Sequence, residues 1–170
     1  YLNARVPRII LQPIVENAIY HGIKPLDEKG SVKISSRVEN NLFIISVEDS
    51  GKGMSDEGIR NMNEDLEKGE VSYNGHIGLK NVNQRLKLIY GNEFGIHMEK
   101  SFSGGLRVVI RIPYTYMTSE LNSKAKKNLP ENYIRAAKDT VELILRRMMS
   151  QRKRAEVEYY PYVEPIGYYP

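Results

Sequence analysis

The chain has no cysteine and only three histidines in 170 residues. Without thiols there is no disulfide and no thiolate metal site, and the scattered positions of His21, His76 and His97 argue against a metal centre built on imidazoles. A strong charge of one sign is missing as well. The net charge is +4; through Tyr114 the chain carries 15 basic and 14 acidic residues, and beyond it 10 and 7. A body this close to neutral advertises no nucleic-acid surface. No stretch approaches the roughly 20 apolar residues that span a bilayer. Tyr1 opens the sequence without an initiator methionine or a signal-like apolar run, so the chain reads as an excised soluble piece. Its length fits one compact domain plus an appendage, enough to bury a core without covalent staples.

What is present is punctuated and periodic. Pro7 suits a first helical turn, and Leu11, Ile14, Val15, Ala18 and Ile19 form an apolar stripe, which predicts a helix from about Pro7 to Tyr20. Pro13 should kink it or mark its true start, and Gly22 and Pro25 should stop it. Val32, Ile34 and Val38 alternate with polar residues; after Asn40-Asn41, the run Leu42 to Val47 is β-branched and aromatic, so a hairpin delivers Asp49 to a strand end. Ser55 reads as a helix N-cap before the weak stripe Ile59, Met62, Leu66, whose polar surroundings suggest a mobile lid. Leu79, Val82, Leu86 and Ile89 predict a further helix closed by Gly91, and strands follow at Phe94 to Glu99 and Leu106 to Ile112. These elements predict an α/β sandwich of two layers, a sheet covered on one face by helices.

Beyond Pro113 the composition changes. Thr115 to Asn128 is polar and lysine-rich, whereas Glu131 to Arg154 spaces Ile134, Ala137, Val141, Ile144, Leu145 and Met148 by three and four, which predicts an amphipathic helix. Tyr159 to Pro170 holds five tyrosines and three prolines and reads as extended. The expected organisation is therefore a domain over residues 1–114 and, over 115–170, a linker, basic helix and Tyr/Pro-rich tail of unassigned role.

Three features in order point to an ATP site. Asn17 and His21, four apart, share a helix face away from the apolar stripe. Asp49 stands directly before Gly51 and Gly53 where a hydrophobic strand stops. Gly75-His76-Ile77-Gly78-Leu79-Lys80-Asn81 is a glycine-containing loop running into a helix, a place where backbone amides approach phosphate. An ionised Asp49 would accept a hydrogen bond from the exocyclic amine of adenine and would face the keto oxygen of guanine acceptor to acceptor, so ATP is expected over GTP. Gly51 and Gly53 would let the backbone pass close beneath the purine, with Met54 as an apolar wall. Alone, Asp-Ser-Gly is a common turn and Asn17 an ordinary helix asparagine; the order of the three decides.

These residues resemble the GHKL, or Bergerat-fold, ATPases, and within them the ATP-binding domain of LytS/YesM-type sensor histidine kinases. Arg5 to Pro113 carries the likeness, with Leu11 to Gly22 as the N box, Asp49 to Met54 as the first glycine box, Ile77 to Leu86 as the second, and Ser103 to Pro113 as the closing strand. The resemblance implies that Asn17 binds Mg²⁺, as a side-chain oxygen completing a shell of phosphate oxygens and water. It also implies that Glu16 polarises or orients the attacking nucleophile. His21, Lys24, His76, Ile77, Gly78, Leu79 and Asn81 join the nucleotide-binding set. Tyr20 stands where the family often has lysine, His76 where it often has glycine, and Leu106 follows a turn lacking the usual threonine. Lys24 reads equally as a substitute phosphate contact or an exposed loop lysine, and His76 as a phosphate contact or a solvated side chain.

The resemblance implies a catalytic domain that takes ATP and Mg²⁺ and passes the γ-phosphate to a histidine on a dimerisation domain absent from this chain, for relay to a response regulator. Such a domain lies in the cytoplasm on a membrane-anchored bacterial parent. His21 is not the acceptor, which in the family sits in an upstream domain. Two alternatives stay open: an ATP-driven switch or anti-sigma-like serine kinase on the same fold, and a module whose nucleotide affinity has decayed and which acts through its basic tail.

Overall fold

The computed structural model describes residues 6–26, 29–68, 77–114 and 155–161. The expected residues His76 and Glu131 to Arg154 lie outside them. Helix α1 runs over Val6–Asn17 with Pro13 in its interior, so Pro13 does not mark its start. Gly22 does not end the helical path either: a π-helical turn covers Ala18–Ile23, and the Lys24 N–H closes it on the Ile19 carbonyl, five residues back, at 2.8 Å. Pro25 then follows, as a residue that cannot extend the turn.

Strands β1 (Gly30–Glu39) and β2 (Leu42–Asp49) form an antiparallel hairpin in which Glu39 faces Leu42. The two-residue connection has φ of 48° at Asn40 and 61° at Asn41, the paired left-handed conformation that matches strand twist. Asparagine tolerates it; a β-branched residue does not. Asn41→Val is expected to lower unfolding free energy by about 1–2 kcal/mol, read from a urea melt.

Helices α2 (Asp56–Lys68) and α3 (Ile77–Tyr90) precede β3 (Gly95–Lys100) and β4 (Leu106–Pro113). The sheet order is β3-β4-β2-β1-β5, antiparallel through the first four strands; β5 (Ala155–Pro161) lies parallel to β1, making the sheet mixed. Alternation puts Val32, Ile34, Phe43, Ile45, Val47, Met98, Val108 and Ile110 on one face, where they meet Leu11, Ile14 and Val15 of α1 and Leu79, Val82 and Leu86 of α3 in a single core. This is the two-layer α/β sandwich the pattern predicts. Ile89 is exposed and Tyr90 packs on the core in its place, because a 3.6-residue period continues from Leu86 as well through position 90 as through 89.

α2 is docked, not loosely held as its polarity suggests. Ser55 Oγ caps it by accepting the Gly58 N–H at 3.1 Å, and Ile59 and Leu66 enter the core. Its polar residues find partners across the fold. The Asn63 amide donates to the Met98 carbonyl and accepts its N–H, both at 2.8 Å, and Lys80 Nζ meets Asp65 at 2.8 Å. Asn83 accepts the Ile96 N–H at 2.8 Å and donates to the Leu66 carbonyl at 2.7 Å. Asn63 and Asn83 thereby occupy backbone groups of edge strand β3 that would otherwise invite another strand.

Candidate functional site

The C-terminal end of β2 organises the site. Asp49 ends the strand only 3% exposed, and its Oδ1 accepts the Gly51 N–H at 2.8 Å and the Leu106 N–H at 3.3 Å. Both bonds fall on one oxygen, so among the described residues Oδ2 is left as the edge able to accept from a ligand. Burial pushes the carboxyl above the usual carboxylate range; the Gly51 and Leu106 N–H groups oppose that shift, and neighbouring Glu48 adds to it.

The π turn forms one wall. A Cβ on Gly22 would stand 2.7 Å from Asp49 Oδ1, and one on Gly51 would stand 2.5 Å from the Gly22 Cα, so these two backbones touch beside the carboxylate. The Lys52 N–H donates to the Gly22 carbonyl at 3.1 Å and locks the contact. The wide π turn is what carries Gly22 to Asp49, in keeping with the use of such turns at functional sites. Gly22→Ala overpacks this contact: about 1–3 kcal/mol of stability is expected to go, with weakened adenine-nucleotide binding, measured by thermal melt and calorimetry on the same sample.

The turn between β3 and β4 forms the opposite wall. Gly53 has φ of +66°, and a side chain there would meet the Gly104 carbonyl at 2.7 Å. Ser101 Oγ donates to Glu48 Oε1 at 2.7 Å and accepts the Ser103 N–H at 2.9 Å, which fixes the turn against β2. Met54, half-buried, packs on the core beside this loop.

The N-box side chains sit on α1 and the π turn that leads to Gly22. Glu16 accepts from Gln12 Nε2 at 2.9 Å, which holds its carboxylate along α1. Asn17 is the last residue of α1 and His21 is exposed on the π turn. Lys24 Nζ sits 5.3 Å from the Tyr20 ring centroid, so a cation stands over position 20 although the residue there is tyrosine. At the far side, a Cβ on Gly78 would lie 3.3 Å from Pro13 Cβ, which sets the start of α3 against α1 one turn before Asn17. Ile77, Gly78 and Asn81 are exposed there, while the Leu79 side chain is 1% exposed in the core and offers a ligand only its backbone. An open groove of about 490 Å³ between α2 and β3, lined by Asp56, Asn63, His97 and Lys100, lies apart from these residues.

Residues 3–116 match the family described as histidine kinase-, DNA gyrase B- and HSP90-like ATPase. The chain belongs to this family. Among its relatives are the sensor histidine kinase YpdA of Escherichia coli K12, 39% identical over 112 residues, and YesM of Bacillus subtilis 168, 30% identical over 108. The sensor protein LytS of Oceanobacillus iheyensis is 32% identical over 115 residues. These alignments cover 64–66% of this chain but only 17–19% of the relatives, so the chain spans less than a fifth of their length.

As a member of this ATPase family, the chain carries an ATP-binding fold. Asp49 supplies a buried, oriented acceptor, and two glycine contacts clear the backbone around it. Asn17 carries one neutral side-chain oxygen, a donor of the kind that completes a magnesium shell made mostly of phosphate oxygens and water. Sequence reasoning passed over Gly22, the Leu106 N–H and the Ser101–Glu48 bond. Gly22 read as a helix stop because its partner lies 27 positions away, and a backbone donor has no side-chain signature.

Proposed function

We propose that this chain is the catalytic ATP-binding domain of a sensor histidine kinase, binding Mg·ATP with adenine on Asp49 and the phosphates between Asn17, His21, Lys24 and the start of α3. The observation that carries this reading is the buried Asp49 carboxylate, held through Oδ1 by the Gly51 and Leu106 N–H groups and set against Gly22 and Gly105. The Lys24 cation over Tyr20 supports a phosphate contact displaced from position 20 to position 24. Asn17 would hold Mg²⁺, which when bound neutralises phosphate charge; Glu16, fixed by Gln12, would orient the incoming imidazole. The acceptor histidine belongs to a dimerisation domain outside this chain, and a response regulator takes the phosphoryl group from it. The parent is a membrane-anchored sensor with this domain on the cytoplasmic side. Among the described residues no helix is long and apolar enough to cross a membrane.

Catalysis in such an arrangement is positioning and charge neutralisation, so the isolated chain should bind nucleotide and turn over little. Calorimetric titration with non-hydrolysable ATP and GTP analogues, with and without Mg²⁺, tests the reading. Saturable binding of the adenine analogue alone, with a Mg²⁺ dependence blunted in Asn17→Ala, is expected. Equal binding of both analogues, or none by the folded chain, would overturn it.

A further inference from the structure

Gly30 and Ser31 open β1 before its ladder with β2 begins, since that register starts at Val32 opposite Asp49. Among the described residues, their strand partners are Ala155 and Glu156 of β5. This end of β1 reaches the candidate site by two routes. Gly30 is buried, and a Cβ there would stand 2.6 Å from Ile23 Cγ2, so the strand start lies directly against the last residue of the π turn. Ser31 is tied to the residue after Asp49 by two bonds: its N–H donates to Ser50 Oγ at 2.8 Å, and its carbonyl accepts the Ser50 N–H at 3.0 Å. Ile23 follows Gly22, which packs on Asp49 and Gly51, and Ser50 stands between those two residues in the chain. A displacement of Gly30 and Ser31 is therefore felt at the carboxylate both through the π turn and through Ser50.

β5 holds that end of β1 from the side. Its backbone pairs in parallel from Gly30 opposite Ala155 to Ser36 opposite Pro161, whereas the antiparallel ladder with β2 secures β1 only from Val32 onward. The strand lies beyond residue 116, where the family match ends, so it is an addition to the edge of the shared domain. Parallel pairing is slightly weaker per residue than antiparallel, and the elements at the margin of a fold open at lower free energy than its centre. β5 can thus leave β1 while the hairpin of β1 and β2 stays closed. We propose that β5 is a strand latch docked on the edge of β1 and that its seating is coupled to nucleotide binding. Seated, it holds Gly30 and Ser31 against the π turn and Ser50 and keeps the surroundings of Asp49 formed; unseated, it lets them loosen. The proposal rests on the ATP site argued above and adds a control to it. Coupling of this kind is reciprocal, so bound nucleotide favours the seated strand by the same factor.

Proline removes a ladder N–H, and consecutive residues of a strand turn their N–H groups to opposite sides, so Val157→Pro combined with Glu158→Pro must delete a bond to β1. In the full chain this pair is expected to weaken binding of a non-hydrolysable ATP analogue about 5-fold or more, the low end of usual coupling between sites. Hydrogen exchange should quicken at the Ser31, Ser50 and Lys52 amides, whose bonds join β1, the Asp49 loop and the π turn. The Ile96 and Met98 amides of β3, at the other edge of the sheet, should keep their protection and so report an intact fold. Unchanged affinity in the variant, beside an unmodified chain that binds, would overturn the latch. Failure of the unmodified chain to bind the analogue would overturn the ATP reading and the coupling with it. Should the double variant fail to fold, the reciprocal effect in the unmodified chain decides. Saturating analogue should slow exchange of the Val157 to Tyr160 amides about 5-fold or more, and exchange there that nucleotide leaves unaltered refutes the proposal.

Discussion

Asp49→Asn is expected to weaken binding of an ATP analogue by roughly 10- to 100-fold while leaving the melting temperature unchanged or raised. Asparagine keeps an oxygen that can accept the Gly51 and Leu106 N–H groups, so the local backbone retains its anchor. What then faces the ligand in place of Oδ2 is an NH₂ group, donor against the donor of the adenine amine. Loss of a charge-assisted hydrogen bond costs about 1.5–3 kcal/mol, which converts to the stated range at 1.4 kcal/mol per decade.

Stability moves the other way. Burial raises the Asp49 pKa above its ordinary value of 3.8, so the folded chain holds this proton more tightly than the unfolded chain does. The favourable contribution of the protonated form is fully present below the unfolded value and is lost as pH rises through the raised folded value, above which an ionised carboxylate is carried at a cost. Asparagine removes that cost, so the variant's advantage should appear between pH 4 and neutrality and be absent below it. Analogue binding by the unmodified chain should also weaken as pH falls through the raised value, and the variant should lack that dependence. Melts and titrations across pH 4 to 8 check both; undiminished affinity in Asp49→Asn would remove adenine from this carboxylate.

The hairpin, the two long helices and the placement of Asp49 at a strand end were legible because each is written in local spacing. Alternation at Val32, Ile34 and Val38, the left-handed asparagine pair at 40 and 41, and the glycine after Tyr90 all report backbone geometry within a few residues. The missed features depend on partners far along the chain. Gly22 is helical because it packs on Asp49, and a glycine at a helix end otherwise reads as a stop. The polar residues of α2 read as a solvated face because periodicity counts apolar side chains, whereas Asn63 and Asp65 meet Met98 and Lys80, partners well along the chain. Tyr159 to Pro161 reads as extended, but strand order is not encoded in one strand, so its pairing with β1 had no local signal.

Asn83→Ala is expected to cost about 2–5 kcal/mol, as large as a core truncation although no apolar contact is lost. Asn83 is 2% exposed and bridges two elements, accepting from the Ile96 N–H of β3 and donating to the Leu66 carbonyl near the end of α2. Alanine leaves a buried N–H and weakens the satisfaction of a buried carbonyl, and each unmade bond of this kind costs about 1–3 kcal/mol. Lys87 Nζ also donates to the Leu66 carbonyl at 2.9 Å and to that of Glu67 at 3.0 Å, so the loss at α2 is partly covered and the Ile96 end carries more of it. Asn83→Asp separates the two ends, since a carboxylate still accepts from Ile96 and cannot donate to Leu66. Denaturant melts should therefore rank the unmodified chain above Asn83→Asp and that above Asn83→Ala. Hydrogen exchange should show the Ile96 amide released only in Asn83→Ala. Because α2 leads into the second glycine box through residues 69–76, losing this clasp should also weaken analogue binding. An alanine variant as stable as the parent would mean that the Ile96 N–H finds another acceptor.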